Sequence, residues 1–475
     1  MVVQVSPRTA FRRALFAGLL MLVLPAAGMA GQTAPVSRPA RKPEVDPHIV
    51  AALKAVSAAQ IKADILKLVS FYNRSTLSPA TPEAIRSGRG IGAAREWIKS
   101  EFERYSRECG GCLEVKTDSY LQEPAERVKT PTEIVDVYAV LKGTDEANAG
   151  RIVLVTGHYD SRNSDNFNTD LEAPGANDDA SGTAVSLECA RVLSRHKFPA
   201  TIIFLTVAGE EQGLYGSHHF AQAAKDQKWD LQAVLNNDIV GGNKTPGDKL
   251  QDPSIVRVFS EGVPDAADDK ALRQLRGLGG ENDSASRELA RYIRETSKLY
   301  LTGPFGPKLI FRRDRYLRGG DHTSFNQFGF AAVRFTEYRE DFNHQHQNVR
   351  TENGVEYGDL PKFVDYDYVA NVARLNAATL ASLASAPAPP ANVRLLTKGL
   401  ENDSTLTWEP SPGGLATGYE VVWRATTAPY WENVVPVGNV TRYTLKQSKD
   451  NVIFAVRAVD NGGHRSLPVV PLPER

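Results

Sequence analysis

The run Thr201-Ile-Ile-Phe-Leu-Thr-Val207 is followed at once by Ala208-Gly-Glu-Glu-Gln-Gly213, and this stretch decides the fold. Its first seven residues are β-prone and uncharged, which is typical of a strand buried on both faces of a sheet. The adjacent carboxylates Glu210 and Glu211 follow at the carboxyl end, where open α/β sheets bind their ligands. The stretch therefore predicts an α/β protein with an acidic site at the rim of its sheet.

Strand and helix patterns alternate on both sides of this stretch. Further strands are predicted at 133–141, 151–156, 232–235, 309–311 and 331–335, and helices at 47–72, 92–105, 182–195 and 366–384. Such alternation predicts a mostly parallel central sheet with helices on both faces. We assign this domain to residues 47–385, and we interpret the charged, Gly-rich insertion at 243–284 as an excursion over the rim rather than a part of the core.

The amino-terminal residues have the composition of an export signal. A basic segment precedes an apolar run from Ala14 to Leu24, and small residues follow up to Ala30. We therefore expect residues 1–30 to be a signal peptide and 31–46 a disordered leader. The mature protein is expected in the periplasm or outside the cell, without stable membrane insertion, since the apolar run is short for a span and no later run is long enough.

The pattern changes after the Pro-rich linker at 386–390. Residues 391–475 contain short alternating strands separated by turn signals, which predicts a small all-β sandwich. The segments Leu-Thr-Trp408, Gly-Tyr-Glu-Val-Val-Trp423 and Phe-Ala-Val-Arg-Ala-Val-Asp460 resemble a fibronectin type III domain. We interpret this sandwich as a packing or targeting module whose partner the sequence does not identify.

Charge and cysteine usage narrow the function classes. Lys plus Arg equals Asp plus Glu at 56 each, so no net positive field points to nucleic acid as a partner. Cys109 and Cys112 are close enough to pair in an oxidising compartment, and the sequence leaves open whether they do. Cys189 lies in a helical pattern and is expected to pack in the core.

Potential metal ligands follow four of the strand patterns. Because parallel strand ends meet at one edge of the sheet, these side chains are expected to converge. One imidazole with several carboxylates suits zinc bound by mixed nitrogen and oxygen ligands. The candidate residues are His158, Asp178, Glu211 and Asp238, with Glu210 beside them.

A second imidazole is available in Phe342-Asn-His-Gln-His-Gln347, as His344 or His346. Charge balance favours two zinc ions, since two dications are matched by three carboxylates and one hydroxide, with both histidines neutral. Asp160, two residues beyond His158, is expected to accept the second ring N–H of that histidine.

The paired glutamates need different roles. Successive residues that leave a strand point in opposite directions, so we expect only Glu211 to bind zinc. Glu210 then remains free beside the bridging water, where it can act as general base and hand the proton to a leaving amine.

Several ordered motifs together resemble the co-catalytic two-zinc aminopeptidases of the bacterial leucyl aminopeptidase type. They are His-Tyr-Asp160, Gly-Ala-Asn-Asp-Asp-Ala-Ser-Gly182, Ala-Gly-Glu-Glu-Gln-Gly-Leu-Tyr-Gly-Ser217, Asn-Asp238 and Gly-Asp-His-Thr-Ser-Phe325. The resemblance implies that His158 and Asp238 hold one zinc, that Glu211 and a late histidine hold the other, and that Asp178 bridges them. It also implies that Glu210 is the base and that Asp160 orients His158.

The sequence departs from this family at the last ligand, a histidine that the family follows four positions later with an acid. Here His344 is followed by Asn348, and His346 by Arg350. We favour His346, because Thr351 then falls in the register where the family often has a threonine. The family pattern also makes His322 a residue that lines the pocket rather than a zinc ligand.

The function expected from these observations is that of an exported two-zinc exopeptidase that removes N-terminal residues from peptides by attack of a bridged hydroxide. Three alternatives remain open. A carboxypeptidase or dipeptidase would need a cationic pocket, for which Arg312, Arg313 and Arg315 are candidates. A glutaminyl-cyclase-like transferase would hold one metal, and a binding protein would have no activity.

Overall fold

The structure is a computed structural model that describes residues 45–474. The predicted signal peptide, residues 1–30, and nearly all of the predicted leader lie outside the described residues. None of the helices between residues 45 and 474 combines the length and apolarity that crossing a bilayer requires.

Helices and strands alternate from residue 47 to residue 385. The helices are α1 Pro47–Lys54, α2 Ala58–Val69, α3 Pro82–Arg86, α4 Gly90–Glu108, α5 Ala180–Leu193, α6 Glu210–Gly213, α7 Tyr215–Asp226, α8 Asp269–Leu278, α9 Ala285–Tyr300, α10 His322–Gln327 and α11 Tyr366–Ser385. The strands are β1 Leu113–Gln122, β2 Thr132–Leu141, β3 Arg151–His158, β4 Thr201–Val207, β5 Asp230–Asn237, β6 Ile255–Ser260, β7 Gly306–Ile310, β8 Ala332–Glu337, β9 Arg350–Glu352 and β10 Val355–Tyr357.

Eight of these strands form one mixed sheet in the order β1-β2-β4-β3-β5-β8-β6-β7. The four central strands, β4, β3, β5 and β8, run parallel to one another. The outer strands include antiparallel pairs, β1 with β2, β2 with β4, and β6 with β8. The prediction of an α/β sheet is confirmed, and its parallel character is concentrated at the centre, where the candidate site lies.

Apolar side chains pack on both faces of this sheet. Every residue of β4 is buried, as expected for a central strand between two layers of helices. One face carries a large core that includes α5 and α11, while the opposite face carries a smaller core around Phe220 of α7 and Phe325 of α10. Helices on both faces are thus confirmed, and they leave the carboxyl ends of the central strands free to form a site.

Two predicted segments differ from the structure. The stretch 243–284 is not entirely an excursion over the rim, because β6 lies inside it and pairs with both β8 and β7. Its alternate residues Val256 and Val258 are buried, a short period-two signal that the surrounding charged residues obscure. The predicted helix 47–72 is two helices, α1 and α2, and Ser57 caps the second by accepting from the Gln60 amide at 3.2 Å.

The carboxyl-terminal residues form two smaller sheets that face each other across an apolar core. The strands are β11 Ala391–Leu396, β12 Ser404–Glu409, β13 Gly418–Ala425, β14 Asn433–Gly438, β15 Arg442–Leu445, β16 Val452–Val459 and β17 Leu472–Glu474. The sheet orders are β15-β12-β11-β17 and β14-β13-β16. Leu406, Trp408, Val421 and Phe454 are buried between them. The small all-β unit expected from the alternating pattern is therefore present.

Charged and polar groups join this β unit to helix α9. Arg424 of β13 pairs with Asp283, which also lies 3.4 Å from Arg291 Nη1. Trp431 donates its indole N–H to Glu288 Oε2 at 2.9 Å. Because the side chains of these charged groups are at most 4% exposed, the β unit and the large domain share a desolvated polar interface.

The two neighbouring cysteines left open by the sequence, Cys109 and Cys112, form a disulfide in the structure. Cys189 is free and buried in α5, where it packs in the large core as expected.

Candidate metal centre

The site lies where three adjacent parallel strands end. His158 is the last residue of β3, Glu210 follows β4 after a short turn, and Asp238 follows β5 directly. Since β4, β3 and β5 are neighbours in the sheet, these three side chains come from one edge. The loop before α5 contributes Asp178, and the segment after β8 contributes a second histidine.

The potential ligands form two groups. In each group one nitrogen or oxygen atom per residue lies within 4.8 Å of the others, and the groups are His158, Glu210 and Asp238, and Asp178, Glu211 and His346. All of these side chains are buried except Glu210 and His346, which are half-buried. Every residue predicted for the site except His344 and Asp160 therefore lies in one of two compact groups.

Asp178 connects the two groups through its two carboxylate oxygens. Oδ1 is 3.2 Å from His158 Nε2, and Oδ2 is 2.8 Å from His346 Nε2. The same imidazole nitrogen of His346 is 3.0 Å from Glu211 Oε1. One carboxylate that faces both groups has the geometry of a bridging ligand.

The two glutamates reach different groups for a reason that the sequence analysis did not give. They are the first residues of α6 and do not continue the strand in an extended conformation. Gly209, with φ of 76°, makes the turn that a residue with a side chain would adopt only with strain. Successive residues of a helical turn point about 100° apart, so Glu210 faces His158 while Glu211 faces His346.

Asp160 lies against the other nitrogen of the His158 ring. The hydrogen bond of His158 Nδ1 is with the Asp160 main-chain carbonyl oxygen at 3.2 Å, and the Asp160 carboxylate Oδ1 lies 3.3 Å from the same nitrogen. Its Oδ2 accepts from the Thr76 hydroxyl at 2.9 Å and from the Glu211 amide at 3.2 Å, and the carboxylate is fully buried. It therefore contacts the loops that carry both groups and can orient the His158 ring.

His346, and not His344, is the histidine that the structure brings to the acidic groups. His346 adopts a left-handed φ of 57°, uncommon for a residue with a side chain, and its ring meets Asp178 and Glu211. The ring of His344 stacks on Phe363 with centroids 3.7 Å apart, and its Nδ1 is 3.8 Å from Asp341 Oδ2. The alternative ligand His344 is thus placed outside both groups.

Two further acids support the site and were not assigned roles from the sequence. Asp179 accepts from the amides of His158 at 3.0 Å and Gly182 at 2.9 Å, and so caps α5 while it holds the end of β3. Asp359 accepts from the amide of Asp178 at 2.7 Å. Asp179 stands within a quoted motif, whereas Asp359 lies in a loop with no local signal, so only the tertiary structure identifies it.

His322 belongs to the protein interior beside the site. Its ring is fully buried, its Nε2 is 2.9 Å from the Arg313 carbonyl oxygen, and it is absent from both ligand groups. Burial, which disfavours the charged imidazole, lowers the pKa of His322 to about 4. It is therefore a neutral packing residue at neutral pH.

The chemistry of the donor set fits zinc. Burial by itself disfavours a charged imidazole, but Glu211 and Asp178 outweigh this effect and raise the pKa of His346 to about 10. The carboxylates around His158, led by Asp179, raise the pKa of that ring well above its usual range in the same way. Because these carboxylates raise the pKa of both histidines, the site carries more negative charge than its own side chains balance. Divalent cations bound by imidazole and carboxylate would supply the missing positive charge.

Comparison with known proteins agrees with this donor set. The profile described as peptidase family M28 matches residues 136–362. A probable zinc metalloprotease of Pyrenophora teres f. teres is 47% identical over 431 residues, covering 90% of this chain and 87% of the relative. A probable zinc metalloprotease of Pyricularia oryzae is 47% identical over 435 residues, covering 90% of this chain and 85% of the relative.

The fold resembles that of a bacterial protein. A crystal structure of LapA from Legionella pneumophila is 22% identical, with a TM-score of 0.50, over 75% of this chain and 80% of LapA. Another LapA structure, described as an aminopeptidase, is 21% identical, with a TM-score of 0.48, over 77% of this chain and 80% of that chain. At this identity the likeness concerns the fold.

Proposed function

The chain belongs to peptidase family M28 and is a zinc metallopeptidase, and from this premise we propose that it is an exported aminopeptidase with two zinc ions. The observation that carries the proposal is the pair of ligand groups joined by Asp178, with Glu210 beside them. In this proposal His158 and Asp238 hold one ion, Glu211 and His346 hold the other, and Asp178 binds both. When bound, zinc polarises a carbonyl oxygen and lowers the pKa of water.

Side chains of the protein then have separate roles in hydrolysis. Glu210 is half-buried, so it borders the cleft, and we assign it as the base that takes a proton from the attacking water and passes it to the leaving amine. Burial, reinforced by the neighbouring acids, raises the pKa of the Glu210 carboxyl despite the opposing effect of His158. A raised pKa suits a group that must both accept and return a proton.

His158 is held for its role by two neighbours. Asp160 lies beside Nδ1 and so favours the tautomer in which Nε2 presents its lone pair to the ligand group. Asp179 fixes the backbone of the same residue through its amide. These contacts orient the ring before any ligand arrives.

The charge of the cleft supports action at the amino end of a peptide. Glu210 is the carboxylate of the two groups that is not assigned to an ion, so its charge remains to favour a substrate ammonium group near the metals. The free α-amine of a peptide is therefore the terminus that this cleft attracts.

The arginines that a carboxypeptidase would need already have other partners. Arg315 lies 3.0 Å from both Asp314 Oδ1 and Glu340 Oε2, and Arg313 lies 3.1 Å from Asp265 Oδ2. Arg312 stacks over the Tyr316 ring at 5.3 Å. These contacts argue against a carboxylate pocket built from the three, and two ligand groups argue against the single-metal cyclase alternative.

Activity on matched peptides tests the proposal. The purified protein is assayed with aminoacyl chromogenic substrates and with the same substrates acetylated at the amine, before and after chelation and after zinc is restored. We expect cleavage of the free substrates only, lost on chelation and regained with zinc. Equal cleavage of the acetylated substrates would rule out the aminopeptidase assignment, and zinc content measured on the same samples tests the count of two.

Export is a separate part of the proposal. The apolar run from Ala14 to Leu24 and the small residues before Gly31 support removal of residues 1–30 during secretion. Expression of the full chain, followed by cell fractionation and mass spectrometry of the amino terminus, should recover a protein that begins near Gly31 outside the cytoplasm. Recovery of the intact amino terminus in the cytoplasm would contradict it.

A further inference from the structure

A fully buried arginine lies against one of the candidate ligands. Arg334 is on β8, and its Nη1 is 2.8 Å from Asp238 Oδ2 and donates to the Gly319 carbonyl at 2.9 Å. The other carboxylate oxygen, Asp238 Oδ1, is on the side of His158, 3.8 Å from Nε2. One carboxylate oxygen of Asp238 therefore faces His158, and the other faces the Arg334 guanidinium.

The backbone is shaped around this ion pair. A Cβ atom at Gly320 would lie 2.5 Å from Arg334 Nη1 and 3.2 Å from Asp238 Oδ2. Any residue with a side chain would therefore push the guanidinium away from Asp238. Burial alone would raise the pKa of Asp238, but Arg334, helped by His158, holds it below its ordinary value.

The second ligand group has no equivalent cation among the described contacts. Asp178 Oδ2 accepts from the neutral amide of Gln345 at 3.1 Å. Glu211 has Arg162 Nε at 3.9 Å, on a side chain that is 16% exposed and so partly screened by solvent. A buried guanidinium therefore makes a direct ion pair with a ligand only in the His158 and Asp238 group among the described residues, because the buried Arg74 near Asp178 donates to main-chain carbonyls, including those of Tyr159 and Gly175.

We propose that Arg334 makes the two zinc sites unequal, so that the group of His158 and Asp238 holds its ion more weakly than the group of Asp178, Glu211 and His346. The inference rests on the proposed two-zinc function. Two effects give the direction: the guanidinium repels a second cation in a poorly solvated interior, and its charged hydrogen bond reduces the negative charge that Asp238 offers. Arg334 would then set the zinc concentration at which the second site fills.

A third residue modulates this effect. Asp314 Oδ2 lies 3.4 Å from Arg334 Nη1, and Asp314 also pairs with Arg315 at 3.0 Å. The Asp314 carboxylate therefore offsets part of the Arg334 charge. Removal of that carboxylate should make the repulsion larger, which is the opposite of removing the arginine.

Zinc titration of the full mature chain tests this proposal. The metal-stripped protein is titrated with zinc in competition with a chromophoric chelator of known affinity, which gives both dissociation constants. We expect two unequal constants for the wild type. Arg334→Met should reduce the ratio of the two dissociation constants by about tenfold, the low end of the range for substitution of a residue that contacts a metal ligand without binding the metal. Arg334→Lys, which keeps the charge but not the planar fork, should retain the ratio, and Asp314→Asn should widen it.

Each result supports or overturns the proposal. Three results would overturn it: equal zinc dissociation constants in the wild type, an unchanged ratio of the constants in Arg334→Met, or weaker zinc binding in both arginine variants. The last result would show that Arg334 orients Asp238 instead. If Arg334→Met fails to fold by circular dichroism, the retained ratio expected for Arg334→Lys and the wider ratio expected for Asp314→Asn still decide. Binding of a single ion by the wild type would instead refute the two-zinc function, so the two failures are distinguishable.

Discussion

His346 Nε2 lies 2.8 Å from Asp178 Oδ2, although the two residues are far apart in the sequence. This contact joins the segment after β8 to the loop before α5 and completes the second ligand group. The behaviour of the site depends on this contact and on the way the surrounding protein supports it.

The choice between the two late histidines can be measured directly. His346→Ala should reduce bound zinc from two ions to one per chain and lower activity, because His346 is the imidazole that meets Asp178 and Glu211. His344→Ala is the matched control and should keep both ions, since its ring stacks on Phe363. Zinc is measured by mass spectrometry after gel filtration. Loss of zinc in His344→Ala alone would reverse the assignment.

Substitution of Glu210 distinguishes a loss of catalysis from a loss of metal binding. Glu210→Gln should lower kcat by about 10²- to 10⁴-fold, the range for loss of a general base, while both zinc ions remain. The companion variant Glu211→Gln should instead lose zinc, because we assign Glu211 as a ligand beside His346, whose Nε2 is 3.0 Å from Glu211 Oε1. Steady-state kinetics and zinc content are measured on the same preparations. Turnover near the wild-type value in Glu210→Gln would remove it from the mechanism.

Removal of zinc should destabilise the fold. The buried carboxylates of the two groups repel one another, and bound cations compensate them. A ligand at a hundred times its Kd stabilises the folded state by about 2.7 kcal/mol for one site, so the zinc-free protein should melt at a lower temperature. Differential scanning calorimetry with chelator and then with restored zinc measures this. Identical melting temperatures would show that the groups hold no ion.

A buried acid away from the site predicts a pH-dependent stability. Burial raises the pKa of Asp64 from 3.8 to about 8, and although its Oδ1 accepts from Gln60 Nε2 at 2.8 Å, its Oδ2 has no hydrogen-bond partner within residues 45–474. Between these two pH values the folded protein therefore keeps a proton that the unfolded chain releases. The free energy of unfolding accordingly falls as pH rises from 3.8 to about 8.

Asp64→Asn should remove this dependence. Between pH 5 and pH 8 the stability advantage of the variant over the wild type should grow by up to about 1.4 kcal/mol for each pH unit. Urea unfolding at both pH values measures it, with the exposed Glu146→Gln as the control. A difference that is the same at both pH values would contradict the assignment.

The interface between α9 and the carboxyl-terminal sheets depends on Asp283. This carboxylate pairs with Arg424 of β13 and with Arg291 of α9. Asp283→Ala leaves the buried Arg424 guanidinium without its carboxylate, while Arg291 keeps Glu288, so the free energy of unfolding should fall by about 3–5 kcal/mol. Thermal unfolding measures the loss, with the exposed Asp450→Ala as control. A change within the error of the control would mean that the interface tolerates the unpaired charges.

The sequence alone determined the central strands and most of the site. Thr201–Val207 is an uncharged β-prone run and Ile152–Val155 is apolar, so burial fixes both as central strands. His158, Glu210 and Asp238 lie at the ends of such strands or within a few residues of them. Local order is enough to place these ligands, because strand ends that share a sheet edge must converge. The alternating pattern after residue 391 predicted a small β unit for the same local reason.

Only the tertiary structure decided what depends on contacts between distant segments. His344 and His346 are two residues apart, and packing against Phe363 or against Asp178 distinguishes them. Neither Asp359 nor Arg334 lies in a motif. Asp359 accepts from the Asp178 amide, and Arg334 pairs with the Asp238 carboxylate. A side chain's local sequence sets the strand or loop that carries it, whereas its partner is fixed by how those elements pack, and that packing is a property of the whole chain.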